Sequence, residues 1–190
     1  IRSMVIDILQ GQKQEMASSQ PIKQAPRGQV EPGVFDTVDE AIQAAKAAQA
    51  RFEDCTLATR EKVIADIRAA MRPRVQELAQ KTVDETGMGR VADKVLKLNL
   101  TLNKTPGVED LVTECETGDN GMTLYELSAY GVIGAITPST NPAETLICNS
   151  IGMLAAGNAI FFSVHPGAKN LSRELVSELN QVIAKSIGIE

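Results

Sequence analysis

Val132-Ile-Gly-Ala-Ile-Thr-Pro-Ser-Thr-Asn-Pro142 is followed, one helix-length later, by Ala159-Ile-Phe-Phe-Ser-Val-His-Pro-Gly-Ala-Lys169. Each stretch opens with a short apolar run, Val132–Ile136 and Ala159–Phe162, of the length and composition of a buried strand. Each run ends in a loop of hydroxyls, amides and prolines. A helix is predicted from about Pro142 to Ala156, with Gly157-Asn158 as its stop. A last helix is predicted from about Ala168 to Ile187. Strand, helix, strand, helix at this spacing is a βαβα unit, which makes parallel strands with a right-handed crossover. The fold class is therefore α/β, with a partial Rossmann-like parallel sheet.

In an open parallel sheet, ligands bind at the carboxyl ends of the strands. Two loops occupy such ends. Thr137 to Pro142 offers the hydroxyls of Thr137, Ser139 and Thr140 and the amide of Asn141. Ser163 to Lys169 carries the only histidine, His165, with Gly167 and Lys169 at a helix start, where free N–H groups suit an anion. The fingerprint G-x-G-x-x-G is absent after the first strand, since Gly131 and Gly134 lie before and within it. On pattern alone, a doubly wound domain whose loops carry no special chemistry is the preferred reading.

Working outward, Met122-Thr-Leu-Tyr-Glu-Leu127 alternates and predicts a strand. Thr37-Val-Asp-Glu40 is a capping box. The helix that it opens carries Val38, Ala41, Ile42, Ala45, Ala48 and Phe52 on one face. A longer helix from about Thr59 to Thr86 has the stripe Val63, Ile64, Ile67, Met71, Val75, Leu78 and Val83, and Pro73 should kink or split it. Gly87-Met-Gly89 ends it. A third helix spans Ala92 to Lys104. At the front, Ile1, Met4, Val5, Ile8 and Leu9 make one apolar stripe, and Gln12 to Pro32 is rich in Gln, Ser, Pro and Gly. The organisation is thus an amphipathic helix at 1–11, a flexible linker at 12–34 and a globular part at 35–190. The short helix reads equally as a terminus that packs locally or as a docking peptide laid into a partner's groove, and the long linker favours docking.

Composition narrows the function classes. Hydrophobic residues make up 43% and charged residues 23%, a globular balance, and the core must be built from Ala, Val, Ile, Leu and Met because there is no Trp and only 3% aromatics. The net charge of −5 with scattered Lys and Arg gives no basic stripe for nucleic acid. No apolar run reaches membrane-spanning length, and Ile1–Leu9 lacks a secretory leader's pattern. Cys55, Cys115 and Cys148 are too far apart for a zinc site or a disulfide framework, and a reducing cytosol is the simplest compartment.

Val132–Pro142, Asn149-Ser-Ile, Leu154-Ala-Ala-Gly-Asn158 and Phe162–Lys169 together resemble the aldehyde dehydrogenase superfamily, and within it the coenzyme A-acylating branch. Glu85-Thr-Gly-Met-Gly89, Asp93-Lys94 and Thr105-Pro-Gly-Val-Glu-Asp-Leu111 resemble the propionaldehyde and acetaldehyde dehydrogenases of bacterial microcompartments. The N-terminal stripe and linker are similar to their encapsulation peptides. The resemblance implies an aldehyde dehydrogenase-like fold, with residues 35–190 as the N-terminal part of the cofactor-binding domain. It also implies NAD-dependent oxidation of a short aldehyde to its acyl-CoA through a cysteine thioester. NAD would be the cofactor and coenzyme A the co-substrate, with no metal.

The same resemblance assigns residues. Asn141 matches the side-chain amide that donates to the developing oxyanion; the competing reading is a loop cap before Pro142. Thr137, Pro138, Ser139 and Thr140 would line the cofactor side. In the hydrolytic branch a Lys-Pro-x-Glu loop grips the adenine ribose. Here Ser163 stands in the Lys place and Pro166 in the Glu place, which removes a charge that would repel a ribose 3′-phosphate. A pocket rimmed by Ser163, His165, Pro166, Gly167 and Lys169 would then admit NAD and coenzyme A in turn. The plainer readings are a solvated helix-start lysine for Lys169 and a ring packed on its loop for His165.

None of the three cysteines fits the nucleophile. Cys55 lies at a helix junction, Cys115 between Glu114 and Glu116, and Cys148 inside a helix, and acidic neighbours dull a thiol. The family's nucleophile would lie beyond residue 190, and the chain alone would be inactive. The strand at 122–127 would join subunits, making a homo-oligomer, and residues 1–11 would meet a microcompartment shell protein in the bacterial cytoplasm. A bifunctional alcohol/aldehyde enzyme shares the Asn-Pro and His-Pro loops, but the N-terminal stripe and linker count against it. A non-catalytic targeting or assembly module is the third reading.

Overall fold

The computed structural model describes residues 31–188. The amphipathic helix expected at 1–11 and the linker as far as Val30 lie outside the described residues. The last four residues assigned to the linker, 31–34, pack on the final helix. Glu31 pairs with Arg173 at 2.8 Å, and a Cβ on Gly33, which has φ +75°, would run into the Asn180 side chain.

The elements are α1 (Val38–Phe52), α2 (Leu57–Met71), α3 (Val75–Thr86), α4 (Val91–Lys104), β1 (Glu114–Gly118), β2 (Gly121–Tyr125), β3 (Val132–Ile136), α5 (Pro142–Ala155), β4 (Ala159–Ser163) and α6 (Lys169–Ile187). The capping box forms at α1: Thr37 Oγ1 accepts from the Glu40 N–H at 3.2 Å, and Glu40 Oε2 accepts from the Thr37 N–H at 3.3 Å. The buried face of α1 is Ala45, Gln49 and Phe52, while Val38 is exposed. The stripe read for this helix is therefore rotated. Gln49 is carried inward by its hydrogen bond to the Gly157 carbonyl at 3.0 Å.

Pro73 splits the long helix as its chemistry requires, through a single 3-10 turn at Arg72–Arg74. The stripe Val63, Ile64, Ile67, Met71, Val75 and Leu78 is buried on both sides of the break. Val83 is only half-buried, and the inward place next to it belongs to Thr82, whose hydroxyl donates to the Leu78 carbonyl at 2.7 Å. With Leu98 and Leu102 of α4, Leu146, Ile147 and Ile151 of α5, and Leu175 of α6, these side chains form one core. Each fully buried aliphatic side chain contributes roughly 1.5–3 kcal/mol relative to exposure.

Strands β3 and β4 pair in parallel, Val132 opposite Ala159 through Ile136 opposite Ser163. One more bond continues the ladder, from the Thr137 N–H to the Ser163 carbonyl at 3.0 Å. The two candidate loops therefore leave the sheet side by side. The expectation that both strands are fully buried is corrected: Ala135 is buried, but Ile136 is 86% exposed and most of β4 is half-covered. Among the described residues β3 and β4 are the whole of this sheet, so the outer edge of β3 has no neighbouring strand.

Gly157, at φ +80°, ends α5, and Asn158 ties that end to the start of β3. Its Oδ1 accepts from the N–H groups of Tyr130 (2.7 Å) and Gly131 (3.0 Å), and its Nδ2 donates to the Met153 carbonyl at 3.2 Å.

The strand read at 122–127 is β2, ending at Tyr125, and it has an antiparallel partner, β1, that the sequence pattern did not show. All residues of both strands are exposed. Directly paired residues share a face, so Cys115, Thr117, Met122 and Leu124 lie on one side and Glu114, Glu116, Thr123 and Tyr125 on the other. The acids that flank Cys115 in sequence thus point away from it, which corrects the argument that they surround its thiol.

Candidate functional site

Asn141 stands at the carboxyl end of β3 and opens α5, with Pro142 as the first helical residue. Proline lacks an N–H and suits that position. The Asn141 side chain makes no capping bond to the helix, so the loop-cap reading fails. Its Oδ1 faces α4 instead, accepting from Lys94 Nζ at 3.2 Å and from Lys97 Nζ at 3.1 Å. With the oxygen held by two ammonium groups, the Nδ2 hydrogens point the other way. Their one hydrogen bond among the described residues is a long one of 3.5 Å to Thr140 Oγ1.

Lys94 is nearly sealed, at 3% exposed. Its ammonium also donates to the Thr140 carbonyl and pairs with Glu144 Oε1 at 3.6 Å. Glu144, in the first turn of α5, is 7% exposed, and neither carboxylate oxygen has a hydrogen-bond partner. Its charge is balanced by Lys94 and by the positive end of α5.

Around this amide the first loop is uneven. Pro138 and Thr140 are exposed, and Ser139 is half-buried with its hydroxyl 3.8 Å from Met88 Sδ. Thr137 is turned inward at 2% exposure, with its hydroxyl unpartnered; it contributes a ladder bond rather than a free donor.

In the second loop Ser163, His165, Pro166, Gly167 and Lys169 are all exposed. His165 Nδ1 accepts from the Gly167 N–H at 3.0 Å. The ring therefore caps the 3-10 turn at Pro166–Ala168. Ser163 and Lys169 border a groove of about 930 Å³ that also runs past Phe35, Ala48, Phe162 and Ile183, a size suited to a nucleotide. The start of α6 is not the free anion site read from sequence. Glu85, on α3, accepts from the N–H groups of Asn170 at 2.8 Å and Leu171 at 2.7 Å. The Glu place in the loop is Pro166, but a carboxylate from another helix sits at the helix start.

Cys148 is on the exposed side of α5, seven residues past Asn141 and about 10 Å along the helix axis. Cys55 follows the end of α1, and Cys115 is on the hairpin. None belongs to the Asn141 cluster.

The sequence profile of the aldehyde dehydrogenase family matches residues 8–181. This chain belongs to that family. It is 50% identical, over 157 residues, to the propanal dehydrogenase (CoA-propanoylating) of Salmonella typhimurium, covering 83% of this chain and 34% of that protein. Among solved structures, it is 48% identical to a propionaldehyde dehydrogenase from the Clostridium phytofermentans fucose utilisation bacterial microcompartment, with a TM-score of 0.76 over 82% of this chain and 35% of that one. It is 47% identical to a Rhodopseudomonas palustris propionaldehyde dehydrogenase with bound CoA and an acylated cysteine, with a TM-score of 0.79 over 83% and 36%. The chain spans about a third of the length of the curated relatives that it matches.

The aldehyde dehydrogenase fold of this chain thus gives places to residues that the sequence reading did not single out for chemistry, namely Lys94, Lys97 and Glu144 around Asn141 and Glu85 at the start of α6. One signal was present. Val91, Lys94, Val95, Leu98 and Leu102 follow helical spacing, so Lys94 is a charge set in an apolar stripe. Glu85 carried no local signal, because its partners are 85 and 86 residues away. Among the described residues no cluster could hold a metal ion, and no helix is long and apolar enough to cross a membrane.

Proposed function

We propose that this chain supplies the cofactor-side portion of an acylating aldehyde dehydrogenase, which oxidises a short aldehyde such as propionaldehyde or acetaldehyde to its acyl-CoA with NAD and coenzyme A. The observation that carries the reading is the Asn141 amide. Its oxygen is tethered and its N–H groups are turned outward at the end of a parallel strand. A neutral amide donates without titrating, and a donor already in place needs no reorganisation as charge develops on the aldehyde oxygen. When bound, NAD would supply the hydride acceptor and coenzyme A the acyl acceptor. The groove bordered by Ser163 and Lys169 fits an adenine nucleotide. Glu85 occupies the Asn170 and Leu171 N–H groups at the start of α6, and Lys169, in the groove wall, is the cation read for a ribose 3′-phosphate. Names of relatives support the substrate class: one is a CoA-propanoylating propanal dehydrogenase, and another was solved with CoA bound.

The nucleophilic cysteine is none of Cys55, Cys115 and Cys148, so these 190 residues alone do not turn aldehyde over. The exposed hairpin β1–β2 joins a second copy, and the apolar stripe at Ile1, Met4, Val5, Ile8 and Leu9 docks on a microcompartment shell protein. Fusing residues 1–32 to an inert reporter tests that last role, and a diffuse reporter removes it.

The central test is N141A in the protein that carries the activity, assayed for propionaldehyde-dependent NADH formation with coenzyme A. Losing one oxyanion donor lowers kcat by about 10²–10³; an unchanged kcat rejects the role. K169A should weaken coenzyme A more than NAD by calorimetry, and equal losses for both would reject the shared pocket.

A further inference from the structure

Lys94 is the most deeply buried cation among the described residues, and the chemistry assigned to Asn141 makes no direct use of it. A buried ammonium is costly unless each proton is directed at an acceptor or a counter-charge. Here the ammonium donates to the Thr140 carbonyl and Asn141 Oδ1, and the Glu144 carboxylate, 3.6 Å away, is its counter-charge. Two of these partners are consecutive residues of the candidate loop and the third is on the helix that follows it. One side chain of α4 therefore sets both the backbone of the loop and the rotamer of its amide.

Asn and Gln amides are two-faced, and a half-turn exchanges donor and acceptor. Against Lys94 and Lys97 only one orientation is allowed, since an Nδ2 facing two ammonium groups would meet like donors. The bonds also polarise the amide. An acceptor loaded by a charged donor makes the attached N–H groups stronger donors.

We propose that Lys94 is a positioning residue for Asn141: with Glu144 as counter-charge and Lys97 as a weaker exposed helper, it holds Oδ1 inward and presents the Nδ2 hydrogens to the reacting oxygen. The inference rests on the oxyanion reading of Asn141 for its purpose, but the geometry stands by itself. K94A alone would strand the Glu144 carboxylate, so the pair is replaced together as K94M/E144Q.

The first test is NMR on the ¹⁵N-labelled 190-residue chain, which needs no turnover. In the unsubstituted chain the Lys94 ammonium should give a slowly exchanging signal with cross-peaks to the Asn141 side chain; the absence of both overturns the proposal whether or not any variant folds. In folded K94M/E144Q the two Asn141 amide protons should collapse toward the shifts of a free amide, while E144Q, which keeps Lys94, should leave them dispersed. An Asn141 signal unmoved in the double variant also overturns it. In the enzyme assay, K94M/E144Q should lower kcat at least tenfold with little change in KM for aldehyde, and should lower it no further when N141A is already present. An equal additional loss on the N141A background would mean a structural role only. If N141A leaves kcat unchanged, the oxyanion reading fails, and the NMR result still decides whether Lys94 orients the amide.

Discussion

Glu85 and Leu171 are 86 positions apart, yet Glu85 Oε2 accepts the Leu171 N–H at 2.7 Å while its other oxygen takes the Asn170 N–H. The first turn of α6 has no side-chain cap of its own, so the carboxylate at the end of α3 does the capping and opposes the helix dipole. E85A should cost about 1 kcal/mol, as loss of a helix cap does, read as a lower denaturant midpoint at unchanged slope. Inorganic phosphate should then stabilise E85A at low salt and leave the parent chain unmoved, because only the variant has an open helix start. Equal phosphate effects on both would show that Glu85 does not occupy an anion site.

The loops were legible and their supports were not. The parallel pair β3–β4, the split at Pro73 and the cap at Thr37 follow from local chemistry that acts over a few residues. Asn141 was found because the residues around it resemble a family. Asn-Pro alone leaves a loop cap open, and what turns the amide oxygen away from the helix start is Lys94 and Lys97, 47 and 44 residues upstream. Strand β1 was missed because Glu-Cys-Glu-Thr-Gly has no apolar alternation; its pairing, not its composition, makes it a strand. The helix start at Lys169 was read as a free place for an anion, and no sequence rule shows that Glu85 of the same chain caps it.

Acid sensitivity should appear where α3 meets α6. Arg74 binds Glu77, Glu174 and Glu178, and Lys81 binds Glu77 and Glu174. Hydrogen bonds from Arg74 and then Lys81 hold the Glu77 carboxyl at about 2, against its ordinary 4.5. The Lys81 bond lowers Glu174 as well, against some desolvation. A carboxylate lowered by folding adds stability above its unfolded pKa, and loses it as pH falls through the folded one. The window is therefore from about pH 4.5 down to about 2. Glu77 is 48% exposed, so solvent screening keeps its share to about 1 kcal/mol or less. E77Q should flatten the fall in melting temperature across that window, and added salt should do the same to the parent. An unchanged acid slope in E77Q would show that the clasp is silent.

Asn158 should be among the most sensitive polar positions. It is 2% exposed and uses both ends of its amide, on Tyr130, Gly131 and Met153. N158A strands backbone donors at the entry to β3, at about 1–3 kcal/mol for a buried unsatisfied group. N158D keeps the acceptor but sets a buried carboxylate oxygen against the Met153 carbonyl, so its cost should shrink as the pH is lowered and the carboxyl protonates to donate there, whereas the cost of N158A should not. An N158A chain as stable as the parent by chemical denaturation would mean that the amide's bonds carry none of the stability.

The hairpin offers the clearest test of assembly. Met122 and Leu124 are 66% and 59% exposed on the same face as Cys115, and no described residue covers them. The opposite face has Glu114 and Glu116, with the Tyr125 hydroxyl 3.3 Å from Glu116 Oε2. A two-stranded hairpin is marginal alone, and an uncovered apolar face beside free strand edges is an aggregation hazard. Both problems end if a second copy covers that face. L124K should therefore shift the native assembly toward monomer in sedimentation velocity while leaving the melting temperature of the isolated 190-residue chain nearly unchanged, since within it Leu124 is largely exposed and faces only the hairpin's own Cys115. T123K, on the other face, should leave the assembly intact. An assembly that ignores L124K, or that both substitutions break alike, would place the subunit contact elsewhere.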